Sequence, residues 1–290
     1  MSGRKSLVIA ISDHADAHLP FVSRHLDNPL LIMDPVDIIQ GRELSYRLKG
    51  QRMAVTYEGR NLGGASGAWY RKPHLVTHNL VPVREHHQGY CQDGIRSHLS
   101  LLYTSLAAAV WISDVHAIRR ASDKSLQLTL ARQIGFRVPD TVITSDAHVA
   151  RRFIASHEPY IVKPLSRFAP EDPPGRSRLY FATKHHRDAN LDLHGLHLAP
   201  TIFQEAIDTA ADLRVTVVGE RAFPAIITVD GLGQDLPTVR DWRVGHFKGK
   251  MRIEPYELPE DMERKCIAHV KKLGLNFGAI DLVLDRKNEI

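Results

Sequence analysis

Several charged side chains in this sequence stand where their neighbours make a charge costly or purposeful. Asp281 interrupts the apolar run FGAIDLVLD, with Ile280 and Leu282 on either side. A strand of that composition reads as buried, and a carboxylate there is costly unless it is paired or bound to a cation. Two chemistries meet that need: an ion pair with one of the many arginines, or a magnesium ion. Magnesium is a hard cation that takes one or two carboxylates together with substrate phosphates. In ADLRVTVVG, alternation puts Asp212, Arg214 and Thr216 on one face and Leu213, Val215 and Val217 on the other. The charged face either lies in solvent or lines a site. Lys163, in the short run YIVKP beside a Pro-rich segment, either snorkels to solvent or meets a ligand. Lys124 falls in the first turn of a helix, where the dipole disfavours a cation and favours an anion. A phosphate at that terminus would reconcile the two.

The elements that must position these residues are marked by punctuation. SLVIAISD and NPLLIMD read as strands, and HADAHLPFVSRHL between them as a helix with Leu19, Val22 and Leu26 inward, a β-α-β start. MAVTYEG and GAWYRKP read as later strands, His98 to Ala109 as a helix, and WISDVHAIRRASD as a connection that leaves the first domain near residue 117. Ser122 or Asp123 can cap the next helix, whose stripe is Leu126, Leu130 and Ile134 and whose end is Gly135. RVPDTVIT is a strand, SDAHVARRFIASH a capped helix, YIVKP a strand and SRFAPEDPPGRSR a loop. LRVTVVGERAFPAIITVD reads as a hairpin turning on Gly219-Glu220. DMERKCIAHVKKLG is an amphipathic helix with Ile267, Val270 and Leu273 inward, followed by the strand FGAIDLVLD.

Composition narrows the function classes. With 43% hydrophobic and 24% charged residues, the 290-residue chain has the make-up of a soluble globular protein of two domains or three lobes. The apolar run at the start is only Leu7 to Ile11, too short for a signal peptide, and no stretch has the roughly 18 apolar residues of a membrane span. Two lone cysteines, Cys91 and Cys266, fit a reducing cytoplasm. The net charge of +5 is spread along the chain rather than gathered in a stripe, so the reading excludes nucleic-acid and membrane partners and favours a solvated basic surface or anionic ligands. His86, His87 and Cys91, and the pair His185-His186, lack a recurring zinc spacing. No GxxxxGK[ST] phosphate loop occurs.

Taken in order, ASDKSLQLTLARQIGFRVPDTVIT, YIVKPL, FQEAI, ADLRVTVVG, VRDWR and LGLNFGAIDLVLD resemble the successive blocks of the ATP-grasp ligases, over roughly residues 118 to 285. ISDHADAH and WYRKP are similar to the domain that precedes this fold in the graspetide (microviridin-type) peptide maturases. The resemblance implies an α/β protein with the ATP-grasp fold, two α+β lobes sandwiching ATP, preceded by an N-terminal α/β pre-ATP-grasp domain. The boundaries expected are 1–117 for that domain, 118–200 for the central lobe and 201–290 for the C-terminal lobe. It implies ATP and magnesium as cofactors, and as partner a precursor peptide with a leader segment; it leaves room for a homodimer. Lys124 and Lys163 match the lysines on the nucleotide phosphates. Gln204, Glu205, Ala206 and Ile207 match the hinge at the adenine edge, and Asp212 the acid on the ribose. Arg214 and Arg243 match the basic residues facing the terminal phosphate and the acyl phosphate, and Asp281 the first metal carboxylate. The Ser166–Ser177 loop is the candidate cover of the acyl phosphate.

The activity implied is ligation: ATP phosphorylates a side-chain carboxylate of a ribosomal peptide, and a hydroxyl or amine attacks to form an ester or amide crosslink. Cations aimed at the crowded phosphoryl oxygens are the main device for such chemistry. A RimK-type ligase adding amino acids to a protein terminus or small molecule is the alternative within the fold. A nucleotide-binding module with impaired catalysis is the alternative outside enzymes. In the family a further strand, bearing a Glu and an Asn, completes the magnesium site after the Asp281 strand. The sequence stops at Ile290, so the expectation is a chain cut before those ligands, the alternative being impaired metal binding.

Overall fold

The structure, a computed structural model, describes residues 6–71, 73, 83–106, 109–165, 182–186, 191–229 and 251–290. The chain divides into two compact units, residues 1–120 with 274–276, and residues 121–273 with 277–290.

The first unit is built on the parallel sheet β2-β1-β6-β7, formed by β1 (Leu7–Ser12), β2 (Leu30–Met33), β6 (Ala65–Arg71) and β7 (Val110–Ile112). Strand β1 lies inside it and is buried almost continuously, which explains the unbroken apolar run Ile9-Ala10-Ile11. The expected first helix shrinks to α1 (His18–Ser23), because Pro20 lacks an N–H and is tolerated only in a first turn. A helix the pattern did not announce, α2 (Pro35–Ile39), starts where Asp34 accepts a hydrogen bond from Val36 N with Pro35 in the first turn. Next comes the small antiparallel sheet of β3 (Leu44–Lys49), β4 (Arg52–Tyr57) and β5 (Arg60–Asn61), of which only β4 was expected. Gly50, at φ +62°, makes the reversal between β3 and β4. Helix α3 (Gln88–Ser105) buries Leu99, Leu102 and Tyr103 in the same core as Ile9, Ile11 and Val55. The segment WISDVHAIRR is not a plain connection: it folds as edge strand β7 followed by α4 (Val115–Ala121). Asn276 N donates to Ser113 Oγ and its side chain to Trp111 O, which ties residues 274–276 to this unit.

The second unit holds two antiparallel sheets. Helix α5 (Lys124–Ile134) begins with Asp123 accepting from Ser125 N and Leu126 N, and ends at Gly135 in the left-handed region. It is followed by β8 (Thr141–Thr144), α6 (Ala147–Ser156), β9 (Tyr160–Pro164), β10 (Thr183–His185) and β11 (Thr201–Glu205), in the sheet order β10-β9-β11-β8. Tyr160 and Phe203 form its core with Ala150 and Phe153 of α6. The second sheet has the order β14-β13-β12-β15, from β12 (Thr209–Val218), β13 (Arg221–Val229), β14 (Met251–Pro255) and β15 (Phe277–Asp285). The β12–β13 hairpin turns on Gly219 at φ +58° and Glu220, as its sequence implies.

Helix α7 (Glu260–Lys272) packs on β12, β13 and β15, and it is rotated from the expected face. Met262, Cys266 and Val270, spaced four apart, are buried with His269 and Leu273, while Ile267 is only half-buried. The contact is close: a Cβ at Gly278 would stand 2.8 Å from Val270 Cγ2.

Candidate active site

Gly278 pairs with Val217, so α7 covers the sheet face that carries Leu213, Val215 and Val217, each at most 1% exposed. The alternate positions Asp212, Arg214 and Thr216 therefore share the opposite face. Register places Asp281 of β15 and Ala225 of β13 directly beside Arg214. Arg214 Nη1 donates to Asp281 Oδ1 at 2.6 Å, with 35% of the arginine side chain and 41% of the aspartate side chain exposed. The expectation that Asp281 lies buried in a strand apolar on both faces is thus corrected. Among the described residues the strand is covered on one face, by α7, and the carboxylate sits on the other face next to a guanidinium.

In the neighbouring sheet, Lys163 Nζ donates to Gln204 Oε1 at 2.7 Å, and Gln204 Nε2 donates to Thr141 Oγ1 at 2.8 Å. Gln204 is 9% exposed, so its amide serves a polar chain across β9, β11 and β8 and holds the lysine head in place. Thr141 had no signal in the sequence that could have found it, because the contact closes across 63 residues. After β11, Glu205 N and Ala206 N donate to Asp140 O at 2.9 Å and Pro159 O at 3.2 Å, and the Glu205 carboxylate accepts from Asp140 N at 3.2 Å. Ile207 O accepts from Thr209 Oγ1 at 3.2 Å, whereas Ile207 N–H engages none of the described residues.

Lys124 is the first residue of α5, and its Nζ donates to Gln127 Oε1 at 3.0 Å. Gln127 in turn donates to Ala121 O. The i, i+3 spacing could have pointed to Gln127, since both side chains lie on one helix face. Arg243 and the Ser166–Ser177 loop lie outside the described residues.

Among the described residues no group of three or more His, Cys, Asp or Glu side chains gathers into a cage for a metal. Asp281 offers a single half-exposed carboxylate on the open face. That donor suits magnesium, which keeps waters and is bound through one or two carboxylates plus substrate phosphates. His86 and His87 pack ring to ring at 4.1 Å, and His185 stacks on Tyr160 at 5.7 Å.

Solved structures carry the same fold. Over 98% of this chain, the RiPP-associated ATP-grasp ligase of Chryseobacterium gregarium, in complex with ADP and a leader and core peptide, superposes with a TM-score of 0.85 at 23% identity, using 86% of its own length. The chain has the ATP-grasp fold. The macrocyclase MdnC of Microcystis aeruginosa MRC, bound with precursor peptide MdnA, matches 98% of the chain at a TM-score of 0.80 and 23% identity, over 88% of its length. The ATP-grasp ligase PsnB, complexed with a phosphomimetic precursor variant, Mg and ADP, matches 99% at a TM-score of 0.69 and 20% identity, over 87% of its length. No protein-family model and no curated protein matches the sequence. No helix among the described residues is long and apolar enough to cross a membrane.

Proposed function

We propose that this protein is an ATP-dependent ligase that activates side-chain carboxylates of a ribosomal precursor peptide and joins them to hydroxyl or amine side chains as ester or amide crosslinks. The observation that carries the reading is the Arg214–Asp281 pair, 2.6 Å apart on the open face of the second sheet. It puts a phosphate-binding fork and a magnesium-type carboxylate side by side in a fold whose solved examples hold nucleotide and peptide. The lobes run 118–200 and 201–290, after a domain of residues 1–117.

Lys124 and Lys163 hold the nucleotide phosphates, with Lys163 steered by Gln204. The backbone of Glu205, Ala206 and Ile207 meets the adenine edge. The side chains of Gln204 and Glu205 are engaged with Lys163, Thr141 and Asp140, which supports contact with adenine through the backbone. Asp212 takes the ribose hydroxyls. Arg214 and Arg243 face the transferred phosphoryl group and the acyl phosphate. Asp281 would hold magnesium, which supplies charge neutralisation for the phosphate oxygens. The γ-phosphoryl group passes to the carboxylate, ADP leaves, and attack on the acyl carbon expels phosphate, so each crosslink removes one water from the peptide.

The partners are a precursor peptide with a leader segment and ATP, without nucleic acid or membrane, and a homodimer is the assembly to test. The compartment is the cytoplasm, where the free thiols Cys91 and Cys266 stay reduced. The test is mass spectrometry of the acidic, hydroxyl-rich peptide encoded beside this gene, incubated with the purified protein, ATP and magnesium. Products lighter by one water per crosslink are expected. An unchanged peptide mass with ATP turnover on a free amino acid, or a mass gain, would sink the reading.

A further inference from the structure

A second polar centre lies wholly within the first unit. In the order β2-β1-β6-β7 the chain goes from β1 to one side for β2 and to the other for β6. The carboxyl ends of β1 and β6 are therefore the switch point of the strand order, which is where open parallel α/β sheets take ligands. Ser12 and Arg71, the last residues of these two strands, are register partners.

Arg71 is charge-balanced but poorly hydrogen-bonded. Its side chain is only 16% exposed, and Asp16 Oδ2 lies 3.1 Å from Nε. The N–H does not point along that line, so Nε has no hydrogen-bond acceptor. His18 Nδ1 lies 2.8 Å from Asp16 Oδ1 and 3.1 Å from Arg71 Nη2. So close to a carboxylate oxygen, the ring nitrogen carries the proton and has no lone pair left for the arginine. Nε is thus without an acceptor among the described residues, and Nη2 faces a ring nitrogen that is itself a donor. A guanidinium this deep normally satisfies its donors. Beside it, Ser12 Oγ is fully buried and also without a partner.

We propose that this edge is a carboxylate-binding site, in which the planar fork of Arg71 takes an acidic side chain of the peptide. The peptide part of the assignment rests on the ligase reading, and the carboxylate part stands on the edge alone. A carboxylate fits better than a phosphate for two reasons. One guanidinium matches one carboxylate in a bidentate pair. The surroundings are also rich in acids: Asp13, Asp16, and the buried Asp34 and Asp37, which accept from His14 N at 3.3 Å and bind His14 Nε2 at 2.8 Å. A dianion would meet more repulsion there than a monoanion.

The test is NMR of the arginine Nε–Hε signals in the whole protein, with the Arg71 signal assigned from Arg71→Lys. Probes are N-acetylglutamate methylamide, its glutamine counterpart and inorganic phosphate. A saturable shift of that signal with the glutamate derivative alone is expected, and the affinity, read in both proteins by calorimetric titration, should weaken about tenfold or more in Arg71→Lys, which keeps the charge beside Asp16 and loses the fork. Asp16→Asn should strengthen binding by removing the competing carboxylate, and opposite signs in two variants cannot both arise from misfolding. Equal response to the glutamine derivative, tighter binding of phosphate, or an unchanged Arg71→Lys would overturn the site. MgATP titrated into the same samples reports separately on the ligase reading. If ATP fails to bind while the carboxylate response persists, that reading falls and the anion site stands. A crosslinked peptide whose KM is unchanged in Arg71→Lys would overturn the peptide assignment.

Discussion

Replacing Arg214 by methionine keeps most of the side-chain length on β12 and removes only the fork, so its effects on stability and on catalysis can be separated. The pair it forms with Asp281 is about one-third to two-fifths exposed. Ion pairs so open to water contribute between about 0.2 and 1 kcal/mol. Asp281 keeps its access to solvent, so no buried orphan charge is created. For a unit of this size the melting temperature should fall by no more than about 4 °C. Catalysis should respond far more. A preorganised cation facing the transferred phosphoryl group stabilises developing charge by about 2.7–4 kcal/mol, or some 10²- to 10³-fold in turnover. The assay pairs calorimetry of the ligand-free protein with peptide-stimulated ADP release. Asp281→Asn should give a similarly small stability change and a raised magnesium requirement. The reasoning fails if the melting temperature drops by about 10 °C or more, since the pair would then be structural. It also fails if turnover stays within about tenfold of wild type.

Three further expectations concern the scaffold. Gly278→Ala should cost about 1–3 kcal/mol in denaturant unfolding, because its methyl would meet Val270 Cγ2 at 2.8 Å and force α7 off the sheet. Asp123→Ala removes the cap of α5 and should cost about 1 kcal/mol, read from thermal melts. Burial lowers the pKa of His269, which packs edge-on against Phe136, so the folded state holds the neutral ring. The unfolded chain then binds more protons below the ordinary histidine value of 6.5, and stability should fall as pH drops from there toward the folded value. His269→Leu should flatten that part of a urea-unfolding pH series, and an unchanged slope would show that the ring is not kept neutral.

Local chemistry was legible in the residues. Asp123 and Gly135 bound α5 because a cap and a left-handed stop are decided within a few residues. The alternation in ADLRVTVVG names its two faces, and FGAIDLVLD marks β15 at both ends. What the residues could not decide is what each face meets. Asp281 reads as buried, since apolar neighbours look alike whether one face of a strand is covered or both. It took the antiparallel register of β12 and β15 to bring Arg214, 67 residues away, to its side, and the placement of α7 to leave that face open. The same holds for Gln204, whose amide joins Lys163 and Thr141, and for Arg71, set beside Ser12 by a parallel register no local pattern encodes. Backbone preference acts over a turn or a strand, so the chain states its elements and the chemical types at each position. Pairing, burial and unmet hydrogen bonds arise only when distant strands align, and they decide which of those charges can act.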